Sequence, residues 1–182
     1  METKTVFTVG HSTRSMDAFL ALLIKNKVDL VVDIRTIPRS RHNPQFNKEN
    51  LPQPLSAAGI EYRHMPGLGG LRHALNNSPN MGWDNASFRG FADYMQTPEF
   101  EENLQELIQL IQGETIAIMC AEAVPWRCHR SLIADALAVR GVKVEHILSE
   151  NSLKPHSLTP FAKIEGTKII YPEHEAQQKL DL

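Results

Sequence analysis

Short apolar runs that alternate with helical patterns constrain the fold of this chain more than any other feature. Residues 5–9 and 30–34 are apolar and rich in β-branched side chains, and a helical pattern from Ser15 to Asn26 separates them. A strand, a helix and a strand in this order form a parallel pair with a right-handed crossover. Three further apolar runs are predicted strands, at residues 60–65, 115–119 and 142–147.

Helical patterns also occur between the later strands. A short helix is predicted between Asn50 and Gly59, and one or two helices between residues 88 and 112, with a break at Thr97-Pro98. A further helix is predicted over residues 131–139. The alternation predicts an α/β fold with three layers, a mostly parallel, Rossmann-like sheet with helices on both faces.

Length and composition predict a single domain over residues 1–182. A chain of 182 residues is long enough to bury a sizeable core. Residues 168–171 are a predicted edge strand, and residues 173–182 a frayed tail. Two irregular segments, 36–54 and 66–83, hold many prolines and glycines and are predicted surface loops.

The same composition argues against several classes of protein. The net charge is only -2, so no overall excess of charge points to nucleic acid or membrane. No apolar stretch is long enough to span a bilayer, and the N-terminus has no signal-peptide pattern. The two cysteines form no disulfide framework, so a reducing compartment is expected. The chain is predicted to be cytoplasmic.

The predicted topology brings distant residues together. Ligands of parallel α/β sheets bind outside the carboxyl ends of the strands. The polar residues that follow the predicted strands are therefore expected to form one site; they are His11, Ser12, Asp33, Arg35, His64, Cys120 and Glu122.

The two cysteines differ in their predicted surroundings. Cys120 follows the strand at 115–119 and faces the start of the next helix, whose dipole lowers a thiol pKa. Its two interpretations are a nucleophile or redox-sensitive thiol, and a small buried apolar side chain. Cys128 lies in a helix predicted to start near Arg127, on a stripe with Leu132 and Ala136, which predicts a core position.

Several other candidates also have two interpretations. Glu122 can act as a general base, and Asp33 can do the same or hold Arg35 in place. His11, His64 and His129 titrate near neutral pH unless they are hydrogen-bonded structural residues. The hydroxyl or backbone amide of Ser12 can contact an anion. The predicted catalytic residues are Cys120, Glu122, His11 and His129.

Basic residues are concentrated in one part of the chain. Residues 35–72 hold six lysines and arginines but only two glutamates. Arginine suits phosphate and carboxylate because its planar fork donates two parallel hydrogen bonds. The predicted anion-binding residues are Ser12, Asp33, Arg35, Arg41, His64, Arg127 and Arg130. The alternative is ordinary solvated charge on a loop.

Three established site types fit poorly. Six residues separate Cys120 from Arg127, whereas a tyrosine-phosphatase loop has five between its cysteine and arginine. The spacing of Cys120, Cys128 and His129 is not that of a zinc site. Neither a Gly-x-Gly-x-x-Gly nor a Gly-Lys-Ser/Thr phosphate loop is present. No metal and no cofactor is therefore predicted.

A specific combination of motifs extends over nearly the whole chain. Its strongest part is Cys-Ala-Glu at 120–122 with Cys-His-Arg at 128–130. The other stretches are Thr-Val-Gly-His-Ser at 8–12, Val-Asp-Ile-Arg at 32–35 with Pro38 and Ser40-Arg41, Pro-Gln-Phe-Asn at 44–47, Leu-Gly-Gly at 68–70, residues 88–95, and His-Ser-Leu-Thr-Pro at 156–160. These motifs resemble those of a bacterial and archaeal family, domain of unknown function 488. The resemblance implies that the strand-end residues form one shared site, and it names no activity.

These observations lead to three hypotheses about function. The first is an enzyme that acts on a phosphate-bearing or otherwise anionic substrate, of the nucleotide or nucleic acid class, at the strand ends. The second is a non-catalytic nucleotide or nucleic acid binding domain with a redox-sensitive cysteine. The third is metal-dependent hydrolysis through Asp33, His64 and Glu122. The expected partner is an anionic small molecule or a nucleic acid, and the oligomeric state stays open.

Overall fold

The computed structural model describes residues 4–173 of the chain. Their main element is a six-stranded sheet, accompanied by five α-helices and a small two-stranded sheet. Of the predicted tail, only Glu173 belongs to the described residues. Within the same range, no helix is both long enough and apolar enough to cross a membrane.

Five of the six strands are parallel, as predicted. The strands are β1 (Thr5–Gly10), β2 (Leu30–Asp33), β3 (Glu61–His64), β4 (Ile116–Cys120), β5 (Lys143–Ser149) and β6 (Ser152–Pro155). Their order across the sheet is β3-β2-β4-β1-β5-β6, and only β6 is antiparallel to its neighbour. The two central strands, β4 and β1, therefore have their carboxyl ends side by side.

Helices cover both faces of the sheet and complete the three layers. They are α1 (Met16–Lys25), α2 (Pro52–Ala57), α3 (Ala86–Tyr94), α4 (Pro98–Gly113) and α5 (Arg130–Ala138). Helix α1 begins where the Ser15 hydroxyl accepts the Ala18 N–H, and α4 begins where Thr97 caps the Phe100 N–H. Alternate strand residues point to opposite faces, so two apolar cores form. One packs against α1 and α2 and the other against α3, α4 and α5.

The structure corrects the predictions at three places. Strand β6 was not expected, because its residues are exposed and lack an apolar pattern. The predicted edge strand at 168–171 is β8 (Lys168–Ile170), which pairs with β7 (Lys163–Glu165) in a separate hairpin. Helix α5 begins at Arg130 rather than near Arg127. A 3₁₀ turn, Pro125–Arg127, occupies the residues before it.

Candidate functional site

A cavity of about 560 Å³ opens at the carboxyl ends of the central strands. This is the edge at which parallel α/β sheets bind ligands. Its wall holds seven of the predicted site residues: His11, Ser12, Arg35, Cys120, Glu122, Arg127 and His129. Four predicted residues are absent from that wall: Asp33, Arg41, His64 and Arg130.

The wall also contains residues that were not predicted. Arg39 and Cys128 are the two with the clearest chemistry. Thr13, Thr36, Ser40, Asn43 and Ser87 add hydroxyl and amide groups, and Ile37, Leu71 and Phe88 add apolar surface. Arg39 lies in the basic segment 35–72, but no local pattern distinguishes it from Arg41, which is exposed away from the cavity.

The loop after β1 and the loop after β4 meet at Gly10. The His11 N–H donates to the Cys120 carbonyl at 2.9 Å, and the Ser12 N–H donates to the Ala121 carbonyl at 2.9 Å. A Cβ on Gly10 would lie 1.7 Å from the Glu122 carbonyl oxygen. Glycine at this position therefore lets the thiol loop approach the first strand closely enough to share one cavity with it.

Ser12 has an unusual backbone conformation for a residue that is not glycine. Its φ is 49°, in the left-handed region where the Cβ crowds the following carbonyl. The residue is partly buried and lines the cavity. Backbone strain of this kind is often found at binding sites, where the surrounding structure maintains it.

Asp33 holds Arg35 rather than facing the cavity. The Arg35 Nε and Nη2 atoms donate to the two Asp33 carboxylate oxygens at 2.9 and 2.7 Å. Nη2 also donates to the Phe46 carbonyl, and the Tyr62 hydroxyl donates to Asp33 at 2.6 Å. Asp33 is fully buried, so its carboxylate fixes the Arg35 guanidinium in place and balances its charge.

His11 is a neutral residue fixed by its neighbours. Its Nδ1 donates to the Ser12 carbonyl at 2.8 Å, so Nε2 is the acceptor and lies 3.3 Å from the Arg35 Nη1. The ring stacks on Phe46 with centroids 4.4 Å apart. Burial, with the charge of Arg35, lowers the pKa of His11 to about 4. Because Arg35 occupies Nε2, this lone pair is not free to accept a proton.

His64 has a role similar to that of Asp33. Its Nε2 donates to the Arg35 carbonyl at 2.6 Å, and its Nδ1 lies 3.5 Å from the Lys48 Nζ. It therefore holds the backbone of the β2 loop from outside the cavity. Asp33, His64 and Glu122 are not gathered around one point: no group of three or more His, Cys, Asp or Glu residues within 4–173 could hold a metal ion.

The thiols of Cys120 and Cys128 share the cavity wall and interact with each other, and the Cys120 thiol donates to the Glu122 carbonyl at 3.6 Å. Burial alone would raise the pKa of Cys120. The Cys128 thiol and the charge of Arg130 oppose this and leave that pKa below its usual value. The neighbouring Cys120 thiol, together with burial, raises the pKa of Cys128 well above its usual value. Of the two thiols, Cys120 is therefore the one that ionises more readily.

Cys128 is not part of the α5 stripe that the sequence pattern indicates. It lies between the 3₁₀ turn and α5, because Pro125 starts that turn and delays the helix. It is buried, as expected, with 7% of its surface exposed. The Arg130 backbone N–H donates to the Cys128 sulfur at 3.4 Å, so the N-terminus of α5 points at Cys128 rather than Cys120.

His129 supplies an unprotonated nitrogen beside the thiols. Its Nε2 donates to the Leu68 carbonyl at 2.9 Å, which leaves Nδ1 as an acceptor 3.5 Å from the Cys128 sulfur. Burial lowers the pKa of His129 to about 4, so the ring is neutral at pH 7. A Cβ on Gly70 would lie 2.6 Å from this Nδ1, so glycine at 70 makes room for the ring.

Arg130 lies behind the thiols with none of its surface exposed. Its Nη2 donates to the Glu122 and Ala123 carbonyls at 3.2 and 3.5 Å. Nε and Nη1 are buried and have no hydrogen-bond acceptor among residues 4–173. A buried cation without an anion is costly, and the thiol pair is the group whose ionisation it favours. Arg130 therefore acts on the cysteines and does not face the cavity.

The exposed arginines Arg39 and Arg127 make the mouth of the cavity positive. Glu122 is the one carboxylate among the described residues that line it. Three features therefore meet in one place: a thiol with a lowered pKa, a neutral histidine and two exposed guanidinium groups. This arrangement is suited to binding an anion next to a nucleophile.

Comparison with known proteins agrees with the motif resemblance. The family described as domain of unknown function DUF488 matches residues 15–137, which is more than half of the chain. Neither the curated proteins nor the solved structures contain a match to the chain. The matched region includes both cysteines, His129 and the basic segment. The chain belongs to the DUF488 family.

Proposed function

We propose that the protein is an enzyme that binds a phosphate-bearing substrate in the strand-end cavity and uses Cys120 as its nucleophile. The observation that carries this proposal is the thiol pair, which lies on the same wall as Arg39 and Arg127, in front of the buried cation of Arg130. A nucleotide or nucleic acid is the expected substrate class, because the cavity combines cationic groups with the apolar side chains of its mouth.

The residues around the thiols define their roles in such a reaction. The Cys120 thiolate would attack the substrate phosphorus, and the bond from phosphorus to the leaving group would break as the sulfur–phosphorus bond forms; water at the mouth of the cavity would protonate the leaving group. Cys128 would keep its proton, because its pKa is raised well above the usual value, and its sulfur lies 3.5 Å from Nδ1 of His129. Water or an acceptor would then release the product, which is the outcome of a hydrolase or a transferase. Glu122, exposed on the wall, is the candidate base for that second step.

The second candidate is a binding domain with a redox-sensitive cysteine. The contact between the Cys120 and Cys128 thiols favours it, because neighbouring thiols can form a disulfide upon oxidation. Both cysteines are free in the structure. A cytoplasmic location is part of both proposals, since a reducing compartment keeps such thiols reduced.

Anion binding is tested by thermal unfolding with phosphate, sulfate and nucleoside monophosphates. A ligand that binds the folded state raises the melting temperature. Arg39→Ala should weaken this response several-fold, because a hydrogen bond to a charged group contributes about 1.5–3 kcal/mol. Arg41→Ala is the matched control: it removes the same charge from the same loop, outside the cavity. Equal responses from the two variants would place the anion elsewhere.

Catalysis is tested by turnover of a library of phosphorylated compounds and by alkylation. A thiolate-selective reagent at neutral pH should modify Cys120 before Cys128, as peptide mass spectrometry can measure. A phosphate ligand bound in the cavity should slow the alkylation of Cys120. Cys120→Ser should abolish turnover but preserve the thermal response to anions. Anion binding without turnover of any compound would favour the binding domain over the enzyme.

A further inference from the structure

A second cavity lies on the other side of the 3₁₀ turn that borders the first. It has a volume of about 300 Å³ and is bounded by this turn and the segment after β6. Its wall includes Trp126, whereas the next residue, Arg127, lines the first cavity. The two cavities are therefore separated by the width of a single turn of chain. A ligand longer than a mononucleotide could occupy both.

Aromatic rings dominate the second cavity. Trp126 is 53% exposed, which is unusual for so large an apolar side chain. Trp83 and Phe161 also line the cavity and pack edge to face, with centroids 4.8 Å apart. Trp83 is held further by Phe88, which belongs to the wall of the first cavity. The cavity thus offers a fixed aromatic floor and one exposed indole.

The charge around the second cavity has the same sign as that around the first. The Lys154 Nζ lies 5.2 Å from the centre of the Trp126 ring. Among the described residues that line this cavity, none carries a carboxylate. Basic side chains therefore lie at both cavities, Arg39 and Arg127 at the first and Lys154, beside Trp126, at the second.

The histidines of the second cavity do not make it a reaction site. His146 Nε2 donates to His156 Nδ1 at 2.8 Å, and His156 Nε2 donates to Asp135 at 2.8 Å. The remaining nitrogen of His146 bonds to the Thr8 hydroxyl. Every ring nitrogen of the pair is therefore occupied by a buried neighbour. The surface that the cavity offers to a ligand is apolar and cationic, which suits binding rather than proton transfer.

We infer that the second cavity is a base-binding subsite for a single-stranded nucleic acid whose phosphate lies in the first cavity. This inference rests on the proposed function, because it extends the same substrate along the chain. Proteins that bind single strands combine a positive groove with aromatic side chains on which bases stack. Trp126 is the stacking residue in this arrangement: the Lys154 ammonium lies over one face of its ring, and the base stacks on the other face.

Binding is measured by competition between thymidine monophosphate and an oligothymidylate of about ten nucleotides. The oligonucleotide should bind more tightly. Trp126→Ala should weaken the binding of the oligonucleotide by about five- to 150-fold, which is the contribution of one base stacked on an aromatic ring. It should leave the affinity for thymidine monophosphate unchanged. Leu158→Ala is the control, because Leu158 is also an exposed apolar residue, 40% exposed, and lies outside the cavity wall.

Tryptophan fluorescence tests the contact between Trp126 and a base directly. The chain has two tryptophans, so Trp83→Phe leaves Trp126 as the only indole. Oligothymidylate should quench its fluorescence, and thymidine monophosphate should not. Lys154→Ala should lower the affinity for oligothymidylate. Lys163→Ala, which removes an exposed lysine on β7, should leave that affinity unchanged.

The outcomes separate this inference from the proposed function. If thymidine monophosphate binds and the oligonucleotide binds no more tightly, the stacking subsite is wrong and the anion site stands. Tight oligonucleotide binding that survives Trp126→Ala also refutes the subsite. If neither ligand binds, and Arg39→Ala changes no response to inorganic phosphate, then both proposals fail.

Discussion

Two buried histidines, His11 and His146, and the partly buried His129 should make the protein sensitive to mild acid. Burial lowers the pKa of His11 and His129 to about 4 and that of His146 to about 3. The ordinary value in an unfolded chain is about 6.5. Between these values the unfolded chain binds protons that the folded protein excludes. Stability is therefore full above about pH 6.5 and falls as the pH drops toward the folded pKa values.

The expected loss of stability follows from the differences between the pKa values of the folded and the unfolded protein. Each such histidine lowers the free energy of unfolding by about 1.4 kcal/mol for each pH unit below 6.5. At pH 5.5 the three together should remove about 4 kcal/mol. A domain of ordinary stability has about 5–15 kcal/mol, so the loss is a large part of the total.

Urea unfolding at pH 7.5, 6.5 and 5.5 measures this loss. His11→Asn should reduce it by about a third, because one of the three titrating groups is removed. His42→Asn and His73→Asn are controls, since both side chains are exposed and lose little hydration on folding. A change below about 1 kcal/mol between pH 7.5 and 5.5 would refute the reasoning.

Three smaller predictions concern individual contacts, each measured by urea unfolding. Ser12→Gly should stabilise the protein by about 1 kcal/mol, because glycine adopts the left-handed backbone conformation without strain. Lys27→Gly is the control, since Lys27 has a similar φ of 56° and lies outside the cavity wall, and it should stabilise the protein by the same amount. If anions raise the melting temperatures of the two variants equally, Ser12 takes no part in anion binding. Tyr171→Phe should cost about 1.5–3 kcal/mol, because its hydroxyl donates to buried Asp135 at 2.8 Å; a neutral result would mean that water replaces the hydroxyl. Cys128→Ser should cost less than about 1 kcal/mol, since a hydroxyl keeps the local partners of the thiol; a larger loss would mean that its apolar packing dominates.

The order of strands and helices was predictable because it depends on local patterns. The β-branched runs at 5–9 and 30–34 and the helix caps at Ser15 and Thr97 are features of neighbouring residues. The strand-end rule then located the cavity. Seven predicted residues line it because each follows a strand or lies in the Cys120–His129 loop.

The burial of individual side chains was less predictable, because it depends on distant parts of the chain. Nothing near Arg130 in the sequence shows that it is enclosed beneath the thiols, and its prediction as a residue facing an anion assumed an exposed side chain. The Asp135–His156–His146 network was also missed. One signal was available: Asp135 interrupts the apolar run Ile133-Ala-Asp-Ala-Leu137, where a carboxylate needs buried partners.

Arg130 connects the architecture of the protein to its proposed chemistry. It is enclosed between the thiol loop and α5, and two of its polar atoms have no acceptor among residues 4–173. After the Cys128 thiol, its positive charge is the second group that lowers the pKa of Cys120 against the effect of burial. Replacing the guanidinium by an apolar side chain, as in Arg130→Met, should remove this contribution and raise the pKa of Cys120, which the pH dependence of Cys120 alkylation measures. The buried cation therefore favours the ionised thiol that the proposed reaction would use.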